Sequence, residues 1–489
     1  MEKITRRSFI RQSTRVAAGV SIAAALPSST LARPAGANND IRIAVVGLGG
    51  QGRYHVKTFN AMKGVRVVAI CDPDRHRMQE AAELLGEQKF DKYVDYRKLL
   101  EDKDIDAVST ASCNHWHAPV TVWGCDAGKD VYVEKPVCHT VWEGQQMIKA
   151  ARKYNRIVQS GMQLRSDIGV GEAFQWLNEG NLGKMLLSRG LCIENRSSIG
   201  KVDKPTSIPS YIDYDLWCGP APNEPLMRRR LHFDWHWIWN TGNGDLGNQG
   251  IHQMDMCRRA IAQDKLPPRV ISVGGRFGWN DDGQTANTQL IFFDYKPVPI
   301  LFEVTGMPEK KGVRRRSHYK GIRCGNVVHC EGGYFACGES GGGWAYDNDG
   351  KKIKQFFAEG VKNHLHNFID VVRSRKIKDL NADVRDGHIS SSLCHLGNIS
   401  HRLGKPSSPE NIHNELKNRH DMTDAFERFQ AHLDANEIDI SKEKTTLGPL
   451  LTLDPETEKF TGPSAGVANK MLTKKYRKGF VIEGAETLG

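Results

Sequence analysis

What this chain lacks narrows it first. Beyond its N-terminal region the 489-residue sequence has no run of roughly 18 uncharged apolar residues, so nothing there reads as a membrane-spanning helix. Its 11 cysteines are odd in number and scattered, with no C-x-x-C and no paired Cys/His spacing of the zinc type. That argues against a disulfide scaffold or a zinc module, and leaves open one bridge among Cys324, Cys330 and Cys337. Cys71 and Cys125 lie in apolar segments, where a free thiol acts as a small hydrophobe. No internal repeat is visible. The basic runs Arg228–Arg230 and Lys310–Arg316 have no interleaved aromatic residues and no nucleic-acid motif, so they read as solvated faces or anion contacts rather than nucleic-acid surfaces.

What is present suits a soluble globular enzyme: 39% hydrophobic and 26% charged residues, in a chain longer than one hydrophobic core usually organises. Two domains are expected. The first 37 residues read as a leader, with Arg6 and Arg7 followed by Phe9-Ile10, a short apolar run, and a small-residue site at Ala35-Gly36-Ala37. Thr5 to Ile10 resembles the twin-arginine export signal, a route for proteins already folded around a cofactor, which implies a periplasmic location and no membrane span once the leader is removed. Residues 1–37 hold six cations and one acid, so without them the formal charge falls from +11 to +6.

From Ile41 the pattern becomes α/β. Short apolar runs (IRIAVV, VRVVAI, IDAVSTAS, DVYVEK, RIVQSG) alternate with helical segments, as in a doubly wound parallel sheet. Ligands of such sheets sit beyond the carboxyl ends of the strands, which points to Cys71, Ser112 and Glu134. After about Arg165 the texture changes to strands expected to form a mostly antiparallel sheet, so the class is α/β followed by α+β. The expected division is a dinucleotide-binding domain over 38–162, a substrate and oligomerisation domain over 163–404, and a C-terminal extension over 405–489. The last helices of the second domain, about 361–404, are placed to pack back on the first.

Gly47-Leu48-Gly49-Gly50-Gln51-Gly52 is a G-x-G-x-x-G between a strand and a helix, the context that gives this motif its meaning. Glycine lets the backbone approach a pyrophosphate, and the helix N-terminus supplies N–H groups. Asp72, at the end of the second strand, is placed to accept from a ribose hydroxyl and to repel a 2′-phosphate, favouring NAD over NADP; Arg75 and Arg77 nearby weaken that preference.

Asn114-His115-Trp116-His117-Ala118-Pro119 and then Glu134-Lys135-Pro136 make a resemblance specific. In this order the motifs look like those of the Gfo/Idh/MocA oxidoreductases, the relatives of glucose-fructose oxidoreductase and the inositol dehydrogenases, over about Ile41 to Gly404. The resemblance implies a Rossmann domain followed by an open-faced sheet domain, assembled into homo-dimers or homo-tetramers, acting on a ring hydroxyl of a sugar, cyclitol or glycoside. It implies that Lys135 contacts substrate and nicotinamide, and that Asn114 and His117 line the cofactor site beside Ser112 and Glu134. A lysine there can polarise a carbinol oxygen, and burial near a cationic ring should lower its pKa.

The family's D-x-x-x-H pair aligns with Asn248 and His252, with His252 as general base. Asn248 is a departure, because an amide cannot stabilise an imidazolium as a carboxylate does; it can still bind a substrate hydroxyl. Asp255, three residues on, and Asp245 are candidates to orient the ring. Asp234, Trp235, His236 and Trp237 belong to a segment rich in groups that grip sugars, and Gln163 and Arg165 match positions that reach the substrate pocket. His232, Asp234 and His236 would share one face of a strand as possible metal ligands, but nothing else in the chain suggests a metal. Three readings follow: an NAD-dependent oxidoreductase, an NAD-dependent glycosidase that oxidises C3 transiently, and a non-catalytic cofactor-bound sugar-binding protein. The intact E-K-P argues against the third and mildly against the second.

Overall fold

The computed structural model describes residues 40–417, 419–442 and 445–488; the leader expected over 1–37 lies outside them. Ile41–Val46 (β1) is apolar at every position but Arg42, and Ile43 and Val45 have no exposed surface, as required of a strand covered on both faces. It lies at the centre of a parallel sheet with β2 (Val65–Cys71), β3 (Asp91–Tyr93), β4 (Ala107–Thr110), β5 (Asp130–Val133) and β6 (Val158–Ser160) in the order β3-β2-β1-β4-β5-β6. The strand order reverses between β1 and β4, which opens a crevice at their carboxyl ends. Helix α1 (Gly50–Asn60) starts there behind Gly49, with no side chain capping its first turn. Helices α2 (Asn114–Asp126) and α3 (Val141–Lys153) follow β4 and β5.

Crossing into the second domain, β7 (Met185–Ile193) is followed by helix α4 (Gly250–Ala260) and the meander β8 (Arg269–Gly275), β9 (Thr288–Phe293) and β10 (Ile300–Thr305). β11 (Cys324–Cys330), β12 (Gly333–Gly338), β13 (Gly343–Tyr346) and β14 (Lys352–Phe356) extend the sheet beyond β7. The pairing is antiparallel with one exception to the expectation: β7 and β10 are parallel, with Ile300 opposite Ser188. The meander docks on β7 through its last strand, and that strand runs in the same direction as β7.

Two helices, α5 (His364–Ser374) and α6 (Val384–Arg402), end the span assigned to the second domain, and α5 packs on the first. Leu365, Phe368, Ile369 and Val372 join Val45, Val56 and Phe59 in one apolar cluster.

Residues 405–488 are less separate than their designation as an extension suggests. β15 (Lys405–Ser407) and β16 (Thr445–Leu447) lengthen the second sheet past β8. Helices α7 (Pro409–Leu416) and α8 (His420–Ala435) cover part of the face expected to be open, packing Ile412, Leu416, Met422, Phe426 and Phe429 on Leu290, Phe292 and Leu301. The cause is visible in β9, whose six residues TQLIFF are buried on both faces and so need a second covering layer. The chain then returns to the first domain: Lys474 pairs with Glu143 of α3 at 2.8 Å, the Tyr476 hydroxyl donates to the same carboxylate, and Phe480 meets Trp116 edge-on. All eleven cysteines are free thiols, so the bridge left open among Cys324, Cys330 and Cys337 is not formed.

Candidate active site

A cleft of about 690 Å³ runs between the carboxyl ends of β1, β2, β4 and β5 and the second domain. At one end the glycine loop forms its floor. Gly47 has φ +79°, and a Cβ there would lie 2.4 Å from the Ser112 nitrogen; a Cβ on Gly52 would lie 1.8 Å from the Gly47 carbonyl oxygen. Those two glycines are required by packing. Gly49 and Gly50 face open space instead, and their side of the loop presents the uncapped N–H groups of α1 to the cleft. A pyrophosphate fits that cradle.

Asp72 lines the same end. Its two carboxylate oxygens accept from Leu48 N at 2.6 Å and Asp74 N at 2.8 Å, which fixes the group in place. Burial raises its pKa to about 6, against the lowering effect of those two N–H donors. At neutral pH it is a carboxylate with lone pairs left for a ribose hydroxyl. Arg77 also lines the cleft but pairs with Glu80 at 3.1 Å, which removes much of the attraction it would offer a 2′-phosphate. These residues fit NAD.

The second domain closes over this end. Asp213 N donates to Pro73 O at 3.0 Å, Arg75 N to Tyr211 O at 3.1 Å, His76 stacks on Tyr211 at 3.6 Å, and His232 Nε2 meets Asp74 Oδ2 at 2.8 Å.

At the other end sits Lys135. Its ammonium donates to the main-chain oxygen of Asn248 at 3.1 Å, and burial, with a contribution from the Arg196 charge, lowers its pKa. Glu134 is held by Gln51, His55 and Gln163 at 2.9, 3.2 and 3.2 Å. Burial works to raise its pKa, but the hydrogen bond and charge of His55, with Lys135 and His252, bring it down to about 2. Glu134 is therefore a fixed negative charge that organises the cofactor side of the site. Gln51 and Gln163 reach it from opposite domains.

His252 lines the cleft, and its ring has no hydrogen-bond partner among the described residues. Burial, then the charge of Lys135, lowers its pKa to about 3, so it is a neutral imidazole able to accept a proton. Asn248 donates its Nδ2 to Asp245 at 3.4 Å, and Asp245 is held in turn by Arg196 at 2.9 Å. With Nδ2 so committed, Oδ1 of Asn248 is the acceptor left for substrate. Ser112, Asn114, His117, Trp235 and His236 complete the lining. His117 bridges Pro136 O and Ser112 O, tying the E-K-P turn to the loop after β4, whereas His115 points away to Trp217 O and Thr241 O.

Four residues expected at the substrate lie outside the cleft. Asp255 neither orients His252 nor faces the cleft: it accepts from Arg165 at 2.9 Å through two guanidinium nitrogens and from Ser390 at 2.7 Å, and these charges and donors bring its pKa to about 2 despite burial. Arg165 is consumed by the same pair. Asp234 is fully buried and taken by Arg230 at 2.7 Å, and Trp237 is buried as packing. The segment Asp234–Trp237 is a turn of 3₁₀ helix rather than a strand, so His232, Asp234 and His236 go to three different partners and do not converge as metal ligands would.

Sequence reasoning missed His55 and Phe233. His55 lies four residues after Gln51, one helical turn on, and that spacing was the available signal. Phe233 stands in the γ-turn region (φ 76°, ψ −52°) with its ring 45% exposed at the cleft mouth, a conformation that only the surrounding contacts can reveal.

Two family models match the chain: an oxidoreductase family NAD-binding Rossmann fold over residues 41–162, and an oxidoreductase family C-terminal alpha/beta domain over 197–296. The inositol 2-dehydrogenase/D-chiro-inositol 3-dehydrogenase of Lacticaseibacillus casei is 31% identical over 277 residues, 53% of this chain and 74% of that protein. The chain belongs to the Gfo/Idh/MocA family. Among other Gfo/Idh/MocA relatives, the inositol 2-dehydrogenase of Salmonella typhimurium is 33% identical over 170 residues, 34% of this chain and 50% of its own length. A glycosyl hydrolase family 109 protein of Shewanella pealeana is 27% identical over 229 residues, 42% of this chain and 49% of its own. The chain thus spans about half the length of several curated relatives that it matches. The fold is shared with the WlbA dehydrogenase of Bordetella pertussis, solved with NADH and UDP-GlcNAcA, at a TM-score of 0.54 and 17% identity, covering 73% of this chain and 95% of that one.

Proposed function

We propose that this protein is an NAD-dependent oxidoreductase acting on a ring hydroxyl of a sugar, cyclitol or glycoside. The observation that carries the reading is the convergence of Lys135 and a neutral His252, whose ring has no hydrogen-bond partner among the described residues, at one end of a cleft whose other end is a dinucleotide cradle. When bound, NAD supplies the hydride acceptor. Lys135 positions and polarises the reacting hydroxyl, His252 takes its proton, and the acceptor oxygen of Asn248 holds a neighbouring hydroxyl. Trp235, His236 and the exposed ring of Phe233 give the sugar an aromatic wall. In the same reading the leader over 1–37 exports the folded protein to the periplasm with NAD retained, and copies of the chain associate as a dimer or tetramer.

The test uses protein purified without added cofactor and incubated with free sugars, cyclitols and p-nitrophenyl glycosides. A keto product or a nicotinamide absorbance change without nitrophenol supports the oxidoreductase. Nitrophenol release without net NADH replaces it with the redox-cycling glycosidase, the reading that the Shewanella relative keeps in view. Silence across the panel with NAD still bound would leave a sugar-binding protein. Export is tested by Arg6→Lys/Arg7→Lys, which should strand the protein in the cytoplasm, and assembly by light scattering.

A further inference from the structure

A second cavity, of about 370 Å³, lies where α3, α6 and the returning tail meet. Its floor is polar and buried: His139 is 7% exposed, Asn243 6%, Asn398 5% and His395 4%. Its walls carry Arg402, Lys470, Lys474 and Lys475, and among the described residues no carboxylate lines it. Lys474 is neutralised by Glu143 beneath it. Arg402, Lys470 and Lys475 form no ion pair among the described residues; the Arg402 guanidinium stands 4.7 Å from the centre of the Trp239 ring instead. Three unmatched cations around a concave low-dielectric floor focus a positive potential into the cavity.

The neutral groups add a second requirement. Asn398 donates Nδ2 to Asn243 O at 2.9 Å, and Asn240 donates Nδ2 to Glu224 at 3.0 Å, so both amides have their acceptor oxygens left over. Such oxygens take hydroxyl donors. Trp239 supplies an apolar ring face in the same wall. The cavity is distinct from the cofactor cleft, because Asn243 stands between them: its Oδ1 accepts from Asn114 at 2.9 Å on the cleft side and its Nδ2 donates to His139 O at 3.2 Å on the cavity side.

We propose that this cavity is a second binding site, for a small anionic polyol, with its carboxylate, sulfate or phosphate held by Arg402, Lys470 and Lys475 and its hydroxyls by Asn240 and Asn398. The experiment uses the full protein saturated with NAD, so that the glycine loop cannot serve as the anion site. Glucuronate, glucose 6-phosphate, inorganic sulfate and neutral glucose are titrated by calorimetry and by tryptophan fluorescence. Glucuronate or glucose 6-phosphate should bind at least about tenfold more tightly than glucose and be displaced by sulfate, and whichever binds better identifies the oxyanion. Arg402→Gln/Lys475→Gln should weaken that binding about tenfold or more with NAD content and melting temperature unchanged. Lys470→Glu, at an exposed tail position, should do the same, and it decides the matter if the double variant does not fold. Binding that is equal in the variants, equal for glucose, or absent for every anion at 10 mM overturns the proposal.

Discussion

The Lys135 ammonium donates to the main-chain oxygen of Asn248 at 3.1 Å. One bond therefore joins the strand end that borders the cofactor cradle to the helical turn that leads into His252, and it does so at the proposed reacting centre. The Asn248 carbonyl needs no particular side chain to play this part. Asparagine or aspartate at this position therefore leaves the bond to the lysine unchanged, and the choice between them bears on His252 instead.

Lys135→Met should lower kcat by about 10²–10⁴-fold, the usual contribution of a group that manages a reacting proton or oxygen. NAD content, read from the absorbance of the denatured supernatant, should not change. Activity that survives the substitution places the chemistry elsewhere in the cleft.

His252, held near pKa 3 by burial and by Lys135, is already a free base across the neutral range. In the alcohol-oxidising direction kcat/KM should therefore be flat from about pH 8 down to about pH 5. Asn248→Asp places a carboxylate one turn before the ring and should raise its pKa by about 1–2 units, bringing the rising limb up toward pH 5. An unmoved profile would mean that the ring is set by another group.

Burial lowers the pKa of His115 and His395 to about 3 each, well below the ordinary value of 6.5. These groups stay neutral in the folded chain but bind protons in the unfolded one. The stability they contribute is complete above pH 6.5 and is lost progressively as pH falls below it. Thermal melts at pH 7.5 and pH 5 should differ by several degrees with the lower value at pH 5, and equal melts would contradict the burial of these rings.

Asp255→Asn should cost about 1–3 kcal/mol, because it leaves the buried Arg165 guanidinium with Asp386, at 3.2 Å, as its remaining carboxylate. Chemical denaturation measures the loss. The folded fraction should keep the KM and pH profile of the parent, which separates a structural ion pair from a substrate contact.

At Phe233 backbone and side chain pull in opposite directions. Phe233→Gly removes the steric cost of a positive φ, about 1–2 kcal/mol, so the melting temperature should hold or rise. KM should nonetheless rise several-fold as the aromatic wall loses its outer ring. A lower KM would show that the ring obstructs the cleft mouth.

The Rossmann half was legible because its signals are local: apolar runs of strand length, a glycine loop between strand and helix, and Asp72 at a strand end. Lys135 and His252 could be assigned through the resemblance, on E-K-P and on the position matching the family's D-x-x-x-H histidine, and the cleft brings them together. Arg165 and Asp255 could not be read correctly, since a charged residue near a site looks the same in sequence whether it faces solvent, substrate or another charge. Only packing shows that these two satisfy each other. The alternation around Asp234 suggested a strand, but Phe233 breaks the extended backbone and a 3₁₀ turn follows. The tail was opaque for a different reason. Its helices are amphipathic against a sheet face more than a hundred residues earlier, and no local pattern announces that partner.

The contacts of Tyr211, Asp213 and His232 with Pro73, Asp74, Arg75 and His76 have a kinetic consequence. A dinucleotide bound in this cleft would have to leave past this bridge between the domains, so opening of several bonds and one stacked pair would limit its release. In the proposed reading, NAD retained there would be reduced by the first substrate and reoxidised in place by a second, carbonyl substrate that takes the hydride back, so the steady-state rate law should be ping-pong, with parallel rather than intersecting double-reciprocal lines.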